Sequence, residues 1–395
     1  MKMMAWKSLA AAAVALAVLG SALPAGAQAP IKLGASLSLT GTYAALGQNQ
    51  HRGYNLCAKH VNEKGGVLGR KIEFVLYDDQ SQPATGVRVY EKLITQDKVD
   101  VVLGPYSSAI TEAVANVNEK YKLPMVAPMA STTSIFKKGR KYIFMVQSAA
   151  EVYLEGLIDV AVKRGLKTLA LINEDTLFPK ATVQGSIELA KKKGLQVVFV
   201  EAYPKGNTDF SAILTKIRAA NPDVLGAATY FDDALAITRQ MRELNVNPKM
   251  YGVTVGGDLP KFYEQLGKNA EFVYGATQWE PELPYPGSKE FVEGHKKEFP
   301  GADLSYHSAG GYAGCQIIVE AIRQAGSLDG DRIRETILKM NFDTAYGGFK
   351  VDQDGFQVSH KMVMFQWQEG KKVIVWPDEL AAGKPRFPTP PWSQR

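Results

Sequence analysis

Two short segments of the 395-residue chain concentrate the side chains best suited to holding a small anion. Gly104-Pro105-Tyr106-Ser107-Ser108 offers hydroxyls, backbone N–H groups and one aromatic face, and Pro128-Met129-Ala130-Ser131-Thr132-Thr133-Ser134 is denser still in hydroxyls. A carboxylate leaving water needs several convergent donors, and neutral donors at helix starts supply them without a buried cation. For either segment alone, ordinary helix capping is the simpler explanation. Two such segments at one sheet edge favour a binding site. Three further stretches, Asn173 to Phe178, Thr229-Tyr230-Phe231-Asp232-Asp233 and Thr254-Val255-Gly256-Gly257-Asp258, lie at second-lobe strand ends, where each aromatic either walls a small apolar ligand or belongs to the lobe core.

Catalytic and cofactor machinery is not visible. The chain has no GxxxxGK[ST] phosphate loop, no GxGxxG after a strand, no GxSxG elbow, no HExxH and no CxxC. Gly41 and Gly47 frame TYAAL without a phosphate-loop lysine and read as a turn before a helix. His51, His60, His295, His307 and His360 lack metal-ligand spacing, and each reads as a surface or structural histidine. Asp78-Asp79 and Asp232-Asp233 follow strands and read as helix caps. The expectation is a binding protein without catalytic residues, cofactor or metal.

The elements that would position these segments alternate. Strand candidates at 31–37, 71–77, 100–104 and 124–127 are separated by helical patterns at 48–63, 85–96 and 108–121. A second series runs helix 150–164, strand 167–172, helix 181–193, strand 196–202, helix 209–220, strand 223–228, helix 232–244 and strand 249–253. Strand-helix alternation of this kind makes parallel sheets covered by helices, and such sheets bind ligands beyond the carboxyl ends of their strands. The fold class is therefore α/β, with two doubly wound lobes. After a proline-rich stretch come helices at 288–298, 307–325 and 330–339, too few strands for a third lobe, so this part is expected to complete the first. HKMVMFQWQEGKKVIVW reads as a hairpin, and Pro385 to Trp392 as a surface segment.

Lys2 and Lys7, an apolar run from Leu9 to Leu19, and Ala25-Gly26-Ala27 form the pattern of a secretory signal cleaved after Ala27. No Cys follows that run to carry a lipid, so a free periplasmic protein without a membrane anchor is expected. The chain beyond Ala27 still exceeds the ~250–300 residues at which single cores stop growing, in keeping with two lobes. A formal charge of +6, spread without a basic block, gives no sign of a nucleic-acid partner. Cys57 and Cys315, the only cysteines, lie in apolar helical stretches. An oxidising compartment makes them a disulfide candidate, and two buried thiols are the alternative.

The order IKLGASLSLTGTYAALG, VNEKGGVLGRKIEFVLYDD, VVLGPYSS, KLPMVAPMASTT and NTDFSAILTKI resembles the periplasmic leucine-isoleucine-valine-binding proteins and their amide and urea relatives, of the type I periplasmic binding fold. The resemblance runs from Ile31 to about Gly355. It implies two lobes joined by three crossovers and hinged to close on one ligand, which an ABC transporter permease then receives. It divides the chain into lobe I at 28–147, lobe II at 148–275, a return to lobe I at 276–355, and a lobe II hairpin and tail at 356–395. The family's carboxylate-binding serine falls on Ser108, beside Tyr106 and Ser107, and its backbone-plus-hydroxyl loop on Met129, Ala130 and Ser131. Its second-lobe aromatics fall on Phe178 and Tyr230. A first-lobe tyrosine falls on Leu46, which makes that wall more aliphatic. The acid that pairs with a ligand ammonium falls on Thr254. Either Asp232, Asp233 or Asp258 takes that role, or the ligand has no amine. The implied function is a monomeric transport receptor for a branched-chain or hydrophobic amino acid or related carboxylate. An aromatic acid or an amide is the alternative ligand, and a sensory domain of this fold the alternative class.

Overall fold

The computed structural model describes residues 28–395, so the expected signal segment and its cleavage point lie outside the described residues. The chain opens with β1 (Ile31–Leu37), α1 (Ala44–Glu63), β2 (Ile72–Asp78), α2 (Pro83–Thr95), β3 (Val101–Leu103), α3 (Ser108–Tyr121), β4 (Met125–Ala127), α4 (Thr133–Phe136) and β5 (Ile143–Met145). These strands form one parallel sheet in the order β2-β1-β3-β4-β5. Leu33, Val101, Val102, Met125, Val126 and Phe144 are fully enclosed, as continuous apolar strands must be when helices cover both faces.

The second lobe follows: α5 (Glu155–Lys163), β6 (Thr168–Glu174), α6 (Leu177–Lys192), β7 (Gln196–Tyr203), α7 (Ser211–Ala220), β8 (Val224–Ala228), α8 (Phe231–Glu243), β9 (Met250–Val253), α9 (Pro260–Leu266) and β10 (Tyr274–Thr277). Next come α10 (Ser288–Glu298), α11 (Tyr306–Ala325), α12 (Gly330–Lys339), the short antiparallel pair β11 (Phe342–Thr344) and β12 (Gly347–Phe349), then β13 (Val363–Gln368) and β14 (Lys371–Trp376). The second sheet has seven strands in the order β14-β13-β10-β9-β8-β6-β7, with β13 and β14 antiparallel at one edge. The helix α11 packs back on α1, where Cys57 and Cys315 are joined in a disulfide.

Three chain segments cross between the lobes, and side chains tie them together. Ser148 N–H donates to Gln278 Oε1 at 3.1 Å, Ser148 Oγ donates to the His360 carbonyl at 3.1 Å, and Gln357 Nε2 donates to the Val146 carbonyl at 2.9 Å.

Several local expectations needed correction. The helix expected from residue 150 begins as a single turn at Ala150–Val152 and becomes α-helical only at Glu155. The helix expected from 181 begins at Leu177, because Pro179 falls in its first turn, where no N–H is missed. Gly47 lies inside α1, not in a turn before it, and a Cβ there would sit 2.2 Å from the Ser38 carbonyl oxygen.

Candidate functional site

The Gly104–Ser108 segment leaves β3 and enters α3, so the free N–H groups and positive end of a 14-residue helix point where the strand ends. Two side chains of α1 fix its start: Gln50 Nε2 at 2.9 Å and the Tyr54 hydroxyl at 2.8 Å both donate to the Gly104 carbonyl. Ser107 holds φ at +93°, a strained value for a residue with a Cβ, and its hydroxyl has no protein partner. Strain held at one such position is a mark of functional sites.

The adjacent loop after β4 turns over the same point. Ser131 N–H donates to Ser108 Oγ at 3.1 Å and Thr132 N–H at 3.4 Å. With its lone pairs engaged by two amides, the Ser108 hydroxyl has its own proton left to donate, the orientation an anion requires.

Across the cleft, α6 and α8 bring Phe178 and Tyr230. Tyr153 meets Phe178 edge-on with centroids 4.8 Å apart, and Phe178 lies 5.9 Å from Tyr230. Together with Tyr106, Ser107, Ser108, Met129 and Ser131 they line one narrow cavity between the lobes, whose enclosed space of about 10 Å³ is room for a single water. Gln147, Val255, Tyr306 and His307 complete the lining, and no Asp, Glu, Lys or Arg is among it. Burial pushes the Tyr153 hydroxyl up to about 12, so it remains a protonated donor.

Several expected site residues sit elsewhere. Ala130 is buried beside the cavity but does not line it. Leu46 is wholly buried on α1 outside the lining, and Tyr43, one turn earlier and likewise outside it, packs its ring against two lining residues, 4.6 Å from Tyr230 and 5.8 Å from Tyr106. Thr254 Oγ1 is spent on the Thr229 backbone, accepting from its N–H at 2.9 Å and donating to its carbonyl at 3.0 Å, so it does not face the cavity. Asp232 is exposed, and Asp233 caps α8, accepting from Tyr230 N–H at 2.7 Å and from the Tyr203 hydroxyl at 2.5 Å. Asp258 lies behind the cavity wall, its Oδ2 3.7 Å from Nδ1 of the lining residue His307. His307, expected to be structural, is a lining residue with an unpaired ring nitrogen.

Further out, the lobes touch directly. Lys205 Nζ donates to the Ser81 carbonyl at 2.8 Å and lies 4.1 Å above the Tyr43 ring, whose hydroxyl is 3.4 Å from Glu174 Oε1. The two lobes are closed over the cavity.

The family model described as "Periplasmic binding protein" matches residues 30–372. The chain belongs to that family. A Leu/Ile/Val-binding protein homolog 7 of Brucella suis is 29% identical over 402 residues, covering 97% of this chain and 99% of that protein. Among solved structures, the leucine binding protein LivK of Thermotoga maritima superposes with a TM-score of 0.79 at 27% identity, over 87% of this chain and 97% of that one. A solute binding protein of an ABC transporter from Rhodopseudomonas palustris, in complex with 3,4-dihydroxy benzoic acid, superposes with a TM-score of 0.78 at 23% identity, over 93% and 99%. The two-lobed architecture of this binding protein is thus the type I periplasmic binding fold. Its family is one of substrate-binding proteins, and among the described residues no helix is long and apolar enough to cross a membrane.

Proposed function

We propose that this protein is exported, loses residues 1–27 by cleavage after Ala27, and serves as the unanchored, monomeric receptor of an ABC transporter. On this reading it holds one small carboxylate between its lobes and passes it unchanged to the permease. The observation that carries the reading is the pairing of the Ser108 and Ser131 loops at the start of α3 inside a small cavity free of cationic side chains. Neutral donors and a helix dipole suffice for one carboxylate, and the remaining walls are aromatic and apolar. The three tied crossing segments supply the hinge, and the Lys205, Tyr43 and Tyr230 contacts supply the closed state.

The relatives' names point to leucine, isoleucine and valine. A second reading, an aromatic acid, is supported by the ring density around the cavity and by the absence of a lining carboxylate to pair with an ammonium. The test is a thermal-shift screen of branched-chain and aromatic amino acids, their deaminated acids and the corresponding amides. A true ligand at 100 times its Kd is expected to stabilise the fold by ~2.7 kcal/mol. A screen in which only amides or uncharged compounds shift the midpoint would refute the carboxylate reading.

A further inference from the structure

A buried acid and a buried imidazole meet across the cleft, and the donor loops do not use them. Asp258 follows β9 in the second lobe, and His307 stands in the first turn of α11 in the first. Their side chains are 0% and 1% exposed, Asp258 Oδ2 lies 3.7 Å from His307 Nδ1, and neither atom has a hydrogen-bond partner. Unpaired buried polar atoms are costly and rare, and two that face each other ask for a reason. On the far side of the ring, His307 Nε2 is 3.4 Å from the hydroxyl of Tyr106, a lining residue. The other Asp258 oxygen accepts from Gly256 N–H at 3.2 Å.

The groups facing Asp258 are few. They are His307, the Lys372–Glu280 pair with its 2.7 Å contact, and the phenols of Tyr106, Tyr153, Tyr306 and Tyr346, which burial keeps protonated. Burial pushes Asp258 up to about 7, while Lys372 pulls it down and Glu280 pushes it up. Burial, then Lys372, pushes His307 down to about 3, so the imidazole stays neutral while the acid changes state near neutrality.

A neutral imidazole passes on whichever polarity it receives. When Asp258 is ionised, His307 Nδ1–H donates to it, Nε2 accepts the Tyr106 proton, and the phenol oxygen turns its lone pairs to the cavity. When Asp258 carries a proton, it donates to Nδ1, Nε2–H donates to the Tyr106 oxygen, and the phenol proton turns to the cavity. We infer that Asp258, His307 and Tyr106 form an inter-lobe relay in which one proton, taken from or given to solvent at Asp258, sets whether Tyr106 presents a donor or an acceptor to the ligand. The relay thereby discriminates carboxylates that carry an amine from those that do not. The inference rests on the carboxylate-receptor reading above.

Two matched pairs test it: leucine with 4-methyl-2-oxopentanoate, and phenylalanine with 3-phenylpropanoate, titrated calorimetrically from pH 6 to 8. A raised acid pKa means that the protonated form prevails below about 7 and the ionised form above it. The amine-bearing partner is therefore expected to gain on its amine-free partner by about tenfold over this range. Taking the ratio within a pair cancels every group that responds to closure alone, such as Glu174 and Lys205. In Asp258→Asn the ratio is expected to be flat, and a flat ratio in the wild type overturns the relay. A readout independent of ligand is ¹⁵N NMR of histidine-labelled protein, with His307 assigned from His307→Gln. A neutral ring at pH 5 that changes tautomer near pH 7, and does not in Asp258→Asn, is expected, whereas an imidazolium at pH 5 overturns the relay. If Ser108→Ala leaves the affinity for all four acids unchanged, it is the receptor reading that fails, whatever the ratio does.

Discussion

Urea unfolding of the Cys57→Ser, Cys315→Ser variant is expected to show a loss of about 2–5 kcal/mol, among the largest effects available outside the sheets. The bond spans 258 positions of sequence, so it restrains an unfolded chain that would otherwise keep the first helix and the returning segment far apart. The seam it closes is unusually tight. A methyl placed on Gly53 of α1 would lie 2.1 Å from the Ser308 carbonyl oxygen and 2.6 Å from the Tyr312 nitrogen, both backbone atoms of α11. Gly53→Val must therefore push the helices apart, at a cost of about 3 kcal/mol if overpacking behaves as it does in other close-packed interiors. The displacement would reach the ligand loop, because Gln50 and Tyr54 of the same helix hold the Gly104 carbonyl. Unchanged unfolding midpoints for both variants would mean that this seam does not hold the first lobe together.

Ser108→Ala is expected to weaken binding by ~1.5–3 kcal/mol, the range for a hydrogen bond to a charged group, and Ser131→Ala by a similar amount. The Ser108 variant loses the hydroxyl proton aimed at the anion and also leaves the Ser131 and Thr132 amides without their acceptor. Both variants keep their apolar packing and are expected to fold. Calorimetric titration with the best acid from the thermal-shift screen measures the loss, and wild-type affinity in both would put the carboxylate elsewhere.

Much of the scaffold was legible because it rests on local rules. Strands buried on both faces announce themselves as apolar runs, so β1, β3 and β4 fell within a residue or two of their observed ends. The elements that escaped are short or context-made. β5 lies in the apolar run 142–146, as readable as the runs of β3 and β4 but unassigned beside the turn residues of KKGRK, and α9 has seven residues beginning at Pro260. Within the site, residues on strand-to-helix loops could be anticipated, since chain direction alone sends Tyr106 to Ser108 and Ser131 to one edge. What could not be read was which neighbour faces the ligand. Tyr43 and Leu46 lie one helical turn apart, and packing alone sets the Tyr43 ring against Tyr230 while neither residue lines the cavity. Thr254 is claimed by the backbone of the adjacent strand end, a long-range pairing no composition records. His307 reaches the cavity only because α11 returns to the first lobe 201 positions after Tyr106, and the SYHSAGGY stretch around it gave no metal or catalytic spacing to single it out.

Recognition of a carboxylate by the cleft is tested most directly by comparing the tightest-binding acid with its own methyl ester on the wild-type protein. Esterification keeps the bulk and removes the negative charge that the Ser108 hydroxyl, the loop amides and the start of α3 would hold. The ester is expected to bind at least 100-fold more weakly, ~2.7 kcal/mol, with the acid binding at one site per chain. An ester that binds within a few-fold of its acid would contradict the account.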